Sequence, residues 1–292
     1  MTVRDPTLAK RIAGLRYEAR RAIDGLLTGM HASPHRGASV VFVEHREYRP
    51  GDELKRLDWR AFARTDRHVV KHFEQESELR ATLVLDQSGS MLYPTDASGS
   101  SSPSKLDHAA TLLAALSLVL SDQGDAVGVT CFSAEVLTTL PARTRRAHLD
   151  AVMKALSESP PLGGRTNLAN ALGSIAERNF RRGLVAIATD LLDSNERALE
   201  PIAAIVARGH DVVVFHVLHP DELDFPFDGP HRFVGLEGEP EIEVDVAQVS
   251  RAYRQEIDAF LMRSERQITS AGARYVLART DEPIERTLAM VL

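Results

Sequence analysis

Apolar positions along this chain recur first at helical spacing and later in short, wholly apolar runs. From Pro6 to about Met30, the residues Leu8, Ile12, Leu15, Ala19, Ile23 and Leu26 fall three or four apart with Arg and Glu between them, which predicts an amphipathic helix. The segment HASPHRGAS ends it, because Pro and Gly disfavour helix continuation. A strand-like VVFV follows at Val40–Val43, then the dense polar run EYRPGDELKRLDWRAFART, then Val69-Val70 and a Glu/Gln-rich stretch from Glu74 to Glu78.

From Arg80 onward the pattern alternates as a parallel sheet requires. Four short apolar runs predict strands: Ala81–Asp86, Ala126–Phe132, Gly183–Asp190 and Asp211–Val217. Glu135–Leu140 is placed to pair with the second as a hairpin. Helical spacing covers Leu106–Leu120, Arg145–Leu156, Leu168–Arg178 and Glu196–Ala207. The tail adds EIEVDV, a long helix from about Val249 to Thr269, a short strand at Tyr275–Leu277 and a last helix after Pro283. Strands apolar on both faces are covered by helices on both sides. The expected fold class is therefore α/β: a doubly wound, mostly parallel sheet with helices on both faces, plus an N-terminal helix and a small strand-containing appendage. We divide the chain into residues 1–78, the helix and polar run packed on the main domain, and 79–292, the sheet domain with a strand-helix extension.

Composition narrows the function. The 292 residues carry 35 Lys+Arg against 41 Asp+Glu, a formal net charge of −6, with 43% hydrophobic residues. That is a globular chain, and its mild acidity argues against gripping a nucleic acid backbone. The one cysteine, Cys131, makes no internal disulfide and no Cys-rich metal cluster. The N-terminus is charged throughout, unlike a secretory signal. The longest apolar stretch, Ala109–Leu120, falls short of the roughly 20 residues a membrane crossing needs. We expect a cytoplasmic protein with no membrane insertion.

Three polar clusters sit where predicted strands end or helices begin: Asp86-Gln87-Ser88-Gly89-Ser90, Gly163-Gly164-Arg165-Thr166 and Thr189-Asp190. Open parallel sheets bind ligands beyond the carboxyl ends of their strands, where the winding reverses, so the three clusters are expected to converge. Two carboxylates and three hydroxyls, without histidine or thiol, are hard oxygen donors suited to Mg²⁺ or Mn²⁺. Hydroxyls neutralise little charge, so an open coordination position would attract a carboxylate from elsewhere, including another protein. Taken singly, each residue also fits a turn or a helix cap.

DQSGSM, a Gly-Gly-x-Thr turn and a strand ending in Thr-Asp resemble the metal-ion-dependent adhesion site of von Willebrand factor A domains. The resemblance implies that Asp86, Ser88, Ser90, Thr166 and Asp190 hold the ion directly or through water. Arg165 stands where a glycine commonly precedes the threonine. The upstream run is similar to the signature of a von Willebrand-A-like bacterial family long labelled a domain of unknown function, whose members commonly sit beside MoxR-type AAA+ ATPases. Pro50, Gly51, Asp52, Glu53, Lys55, Leu57, Asp58, Trp59, Ala63 and Arg64 fit, with Lys55 replacing the usual Arg. The likeness runs from about residue 37 to the end. It implies a protein-binding adaptor that engages a MoxR-like AAA+ ATPase, or that ATPase's client, through a Mg²⁺-centred site.

In the signature run, acidic and basic residues alternate and pair locally, and Trp59 anchors the segment on the main domain. The functional alternative is a basic docking surface of Arg56, Arg60, Arg64 and Arg67 for an acidic partner. His68 and His72 share one face of a helix, but Val69-Val70 favours a strand. His216 and His219 read as packing or loop residues. The chain has no G-x-x-x-x-G-K phosphate loop and no G-x-S-x-G elbow. The Ser-rich stretch Ser98–Ser104, in the low-complexity piece Asp96–Ser104, reads as a flexible loop, near enough to the Asp86 turn that gating the open metal position is a second reading. The alternative function is a metal-dependent hydrolase of phosphoester or ester substrates, for which no catalytic base or nucleophile is assignable, so we expect no enzyme.

Overall fold

The computed structural model describes residues 6–29, 41–47, 69–74, 79–95, 103–158, 165–177, 181–193, 195 and 197–292. The chain divides into two compact units, Met1–His31 with Leu79–Leu292, and Ala32–Glu78. In the smaller unit, β1 (Val41–Glu47) pairs antiparallel with β2 (Val69–Glu74), with a register shift between Phe42 and Glu44. The polar signature run, with Trp59 and the four arginines Arg56, Arg60, Arg64 and Arg67, lies outside the described residues, as do His68 and residues 96–102 of the Ser-rich loop. The larger unit includes α1 (Pro6–Gly29), which the sequence had grouped with the signature run. Its Ala19 and Ala22 are buried in the same apolar core as the sheet.

After Leu79 the chain runs through β3 (Arg80–Asp86), α2 (Lys105–Asp122), β4 (Ala126–Phe132), β5 (Val136–Arg143), α3 (Arg146–Ser157), α4 (Leu168–Glu177) and β6 (Leu184–Thr189). It continues through α5 (Glu200–Ala207), β7 (Asp211–Leu218), α6 (Pro220–Asp224), β8 (Pro230–Phe233), β9 (Ile242–Asp245), α7 (Val246–Ser270), β10 (Arg274–Arg279) and α8 (Ile284–Ala289). Among the described residues the main sheet has six strands in the order β10-β7-β6-β3-β4-β5. All neighbours are parallel except β5, which returns antiparallel along β4. The chain thus winds outward from β3 to β5, crosses back over β3 to β6, and winds outward the other way. That reversal places the crevice beside the carboxyl ends of β3 and β6.

The strand period of two sorts each strand's residues onto opposite faces. Leu83 and Leu85 of β3 pack in one core with Leu112, Leu113 and Leu116 of α2, while Val84 packs in another with Leu172 of α4 and Ile202 of α5. Helices cover both faces, as the doubly apolar strands require. Two boundaries moved for physical reasons. The helix expected from Glu196 begins at Glu200, with a Pro in its first turn where a missing N–H costs nothing. The long helix begins at Val246 because the Asp245 carboxylate caps the Ala247 N–H. Among the described residues no helix is long and apolar enough to cross a membrane.

Candidate functional site

The end of β3 turns on its own carboxylate: Asp86 Oδ1 accepts the Ser88 N–H at 2.9 Å, an Asx turn. Asp86 Oδ2 accepts the Thr189 hydroxyl at 2.7 Å and the Thr166 hydroxyl at 3.3 Å. Ser88 Oγ and Ser90 Oγ stand 3.1 Å apart, and the Ser90 hydroxyl is near enough to Asp190 to help lower its pKa. Hydrogen bonds therefore join Asp86, Ser88, Ser90 and Thr166, and Asp190 lies close enough for its charge to act on Asp86. Thr189 joins them from 103 positions beyond Asp86. Arg165 is exposed, and Gly163 and Gly164 lie outside the described residues.

Asp86 and Asp190 are fully buried, but their charges are treated differently. Lys105, also fully buried, donates to Asp190 Oδ2 at 2.8 Å and to Glu222 Oε1 at 2.6 Å. Burial alone would raise the Asp190 pKa, yet the Lys105 ammonium, with the Ser90 and Leu192 donors, holds it below the usual carboxylate range. Among the described residues Asp86 has no cationic partner. Burial and the neighbouring Asp190 charge push its carboxyl well above that range, outweighing its hydroxyl and amide donors.

The backbone around Asp190 is fixed from behind. The neutral His216 ring donates from Nε2 to the Asp190 carbonyl at 3.0 Å and accepts the Tyr275 hydroxyl at Nδ1, 2.8 Å away. Burial lowers its pKa to about 4, so the ring stays uncharged. Leu191 adopts a left-handed φ of 59°, rare for a branched residue, and this turn lets the Leu192 N–H reach Asp190 Oδ1 at 3.1 Å. Leu192 beyond it is exposed.

One participant had no counterpart in the sequence reading. The loop between β8 and β9 brings Glu237 over the set: its Oε1 accepts the Ser90 N–H at 3.2 Å and its Oε2 the Thr166 N–H at 3.1 Å. Beside it lies a cleft of about 220 Å³ lined by Ser90, Tyr93, Leu192, Glu222, Leu236, Glu237 and Glu239. Gly89 makes this approach possible, because a Cβ there would lie 2.3 Å from the Leu236 carbonyl oxygen. Its φ of −60° and ψ of −39° suit any residue, so the requirement is one of space alone. Gly89→Ala is expected to push the loop off the site. Faster hydrogen exchange confined to residues 234–241 would show it, and unchanged exchange there would refute it.

Lys105 left one trace in the sequence, a cation in the first turn of a helix, where the macrodipole disfavours it. Glu237 left none, since its two donors come from 147 and 71 residues away. Among the described residues no group of three or more His, Cys, Asp or Glu is arranged to hold a metal ion. Any ion at this set would depend on its hydroxyls and two carboxylates. Six oxygens around Mg²⁺ at about 2.0–2.1 Å stand about 2.9 Å from their neighbours, close to the Ser88–Ser90 separation of 3.1 Å.

Comparison with known proteins adds the family. The model of the family described as protein of unknown function DUF58 matches residues 44–267. An uncharacterized protein of Mycobacterium bovis is 30% identical over 287 residues, covering 95% of this chain and 86% of the relative, and one of Mycobacterium tuberculosis matches equally. Among solved structures, the conserved hypothetical protein BatB from Bacteroides thetaiotaomicron aligns with a TM-score of 0.47 at 20% identity, over 73% of this chain and 96% of that one.

Proposed function

We infer that this chain, which belongs to the DUF58 family of proteins of unknown function, is a protein-binding module of the von Willebrand factor A type that works through a divalent cation. One observation carries the reading: five oxygen-bearing side chains from three separate segments meet at the winding reversal, around a buried Asp86 carboxyl that among the described residues lacks a cationic partner. Hard oxygens, among them a buried carboxyl that a cation would ionise, suit Mg²⁺ or Mn²⁺. Asp86, Ser88, Ser90, Thr166 and Asp190 would hold the ion directly or through water. Bound there, it would supply an electrophilic position for a partner's carboxylate.

The partner proposed from the sequence signature is a MoxR-like AAA+ ATPase or a protein that ATPase remodels. The hydrolase reading gains nothing from the geometry. Both nitrogens of the His216 ring are engaged, and burial first of all pushes the Cys131 thiol up to about 12. The test is capture of a MoxR-like ATPase by the immobilised full chain in Mg²⁺. We expect capture to vanish with EDTA and with Asp86→Ala, whose circular dichroism should match the wild type. Capture indifferent to both treatments would count against the reading.

A further inference from the structure

A carboxylate from the same chain already stands against the proposed ligand set. Glu237 bridges two backbone amides, one after the β3 turn and one before α4, each next to or within the proposed ligand set. The fit is built from both sides. Gly89 clears the path for the Leu236 carbonyl, while Glu239 folds back to accept the Glu237 N–H at 3.0 Å. The loop is packed at its base and carries glycines at its tip. At the base, Phe225 stacks on Tyr253 of α7 with centroids 4.1 Å apart, Phe227 meets Phe233 of β8 edge-on at 5.4 Å, and the Tyr253 hydroxyl donates to the Glu222 carbonyl at 2.8 Å. At the tip, Gly235 and Gly238, the latter at φ +89°, flank Glu237 and permit the backbone to swing.

We propose that Glu237 is a resident ligand: the β8–β9 loop seats in cis the carboxylate that an acidic partner segment seats in trans, and the partner binds by displacing it. This rests on the adhesion reading above and specifies it. The partner must offer an acidic side chain on a flexible stretch able to enter between Ser90 and Thr166, and the resident loop lowers its affinity by competing for the same two amides. An intramolecular competitor acts at high effective concentration, so even a weak cis contact suppresses binding in trans.

The loop's own sequence supplies the probe, a labelled peptide of residues 234–240 followed by fluorescence anisotropy with the full-length protein, alongside calorimetric titration with Mg²⁺ alone. With Mg²⁺ present, Glu237→Ala should bind the peptide at least about tenfold more tightly than the wild type, and EDTA should reverse the gain. Glu237→Gln, which keeps the shape and loses the charge, should fall between them and guards against a loop that merely collapses in the alanine variant. Equal peptide affinity in all three proteins, with Mg²⁺ bound by each, would overturn the resident ligand and leave the adhesion site standing. No Mg²⁺ binding by any of them would remove the adhesion reading and this proposal together.

Discussion

Lys105→Met is expected to cost the folded protein about 3–5 kcal/mol, the range for breaking a buried ion pair by removing one partner. The ammonium is fully buried and serves two carboxylates at once, Asp190 at 2.8 Å and Glu222 at 2.6 Å. Methionine fills the same channel but leaves Asp190 charged beside Asp86, with only the Leu192 N–H and the Ser90 hydroxyl for company. Urea unfolding at pH 8 measures the loss. It should shrink as the pH falls, because an Asp190 able to take up a proton no longer needs the ammonium. A Lys105→Met protein as stable as the wild type at pH 8 would mean that Lys105 does not neutralise this site.

The second expectation has the opposite sign. Burial and the Asp190 charge raise Asp86 from its ordinary 3.8 to about 7. An acid whose folded pKa is raised binds its proton more tightly folded than unfolded. Its stabilising contribution is therefore present at low pH and is lost as the pH climbs from about 4 to about 7. In EDTA, Asp86→Asn should remove that dependence and gain on the order of 2–4 kcal/mol over the wild type at pH 8. The same substitution should abolish any stabilisation by Mg²⁺, which acts on the folded state by mass action. Denaturant midpoints at pH 5.5 and pH 8, with and without Mg²⁺, give all four values. A variant less stable than the wild type at pH 8 without metal would show that Asp86 serves the fold.

What could be read beforehand follows from where each signal resides. Asp86, Ser88, Ser90, Thr166 and Asp190 were legible because each stands at a change of hydrophobic period, and parallel strands bring their carboxyl ends to one edge. The sheet strands were legible because their runs, Ala126–Phe132 above all, are buried along their whole length. Strand β8 was not. In Pro230–Phe233 a Pro, a His and an Arg precede the single Phe, and the strand borrows its stability from the aromatic cluster around Phe225. The five residues of α6 are too few to show a period, and they form behind a cap in which the His219 ring accepts the Asp221 N–H and Glu222 reaches back to the His219 N–H. Lys105 and Glu237 acquire their roles only through partners far along the chain, and local patterning carries no record of such partners.

The place of β3 between β4 and β6 also bears on how the molecule emerges from the ribosome. One edge of β3 finds β4 within a few dozen residues, but the other waits until Leu184–Thr189 has been synthesised. Throughout that interval the Asp86 turn sits on an open strand edge, with Thr166 and Asp190 arriving late and the β8–β9 loop later still. Long-range parallel pairing is slow to form and leaves such an edge exposed to stray strands. Nascent chains interrupted before Leu184 would accordingly be sticky, and the Asp86 cluster could not assemble until about two-thirds of the 292 residues had been made.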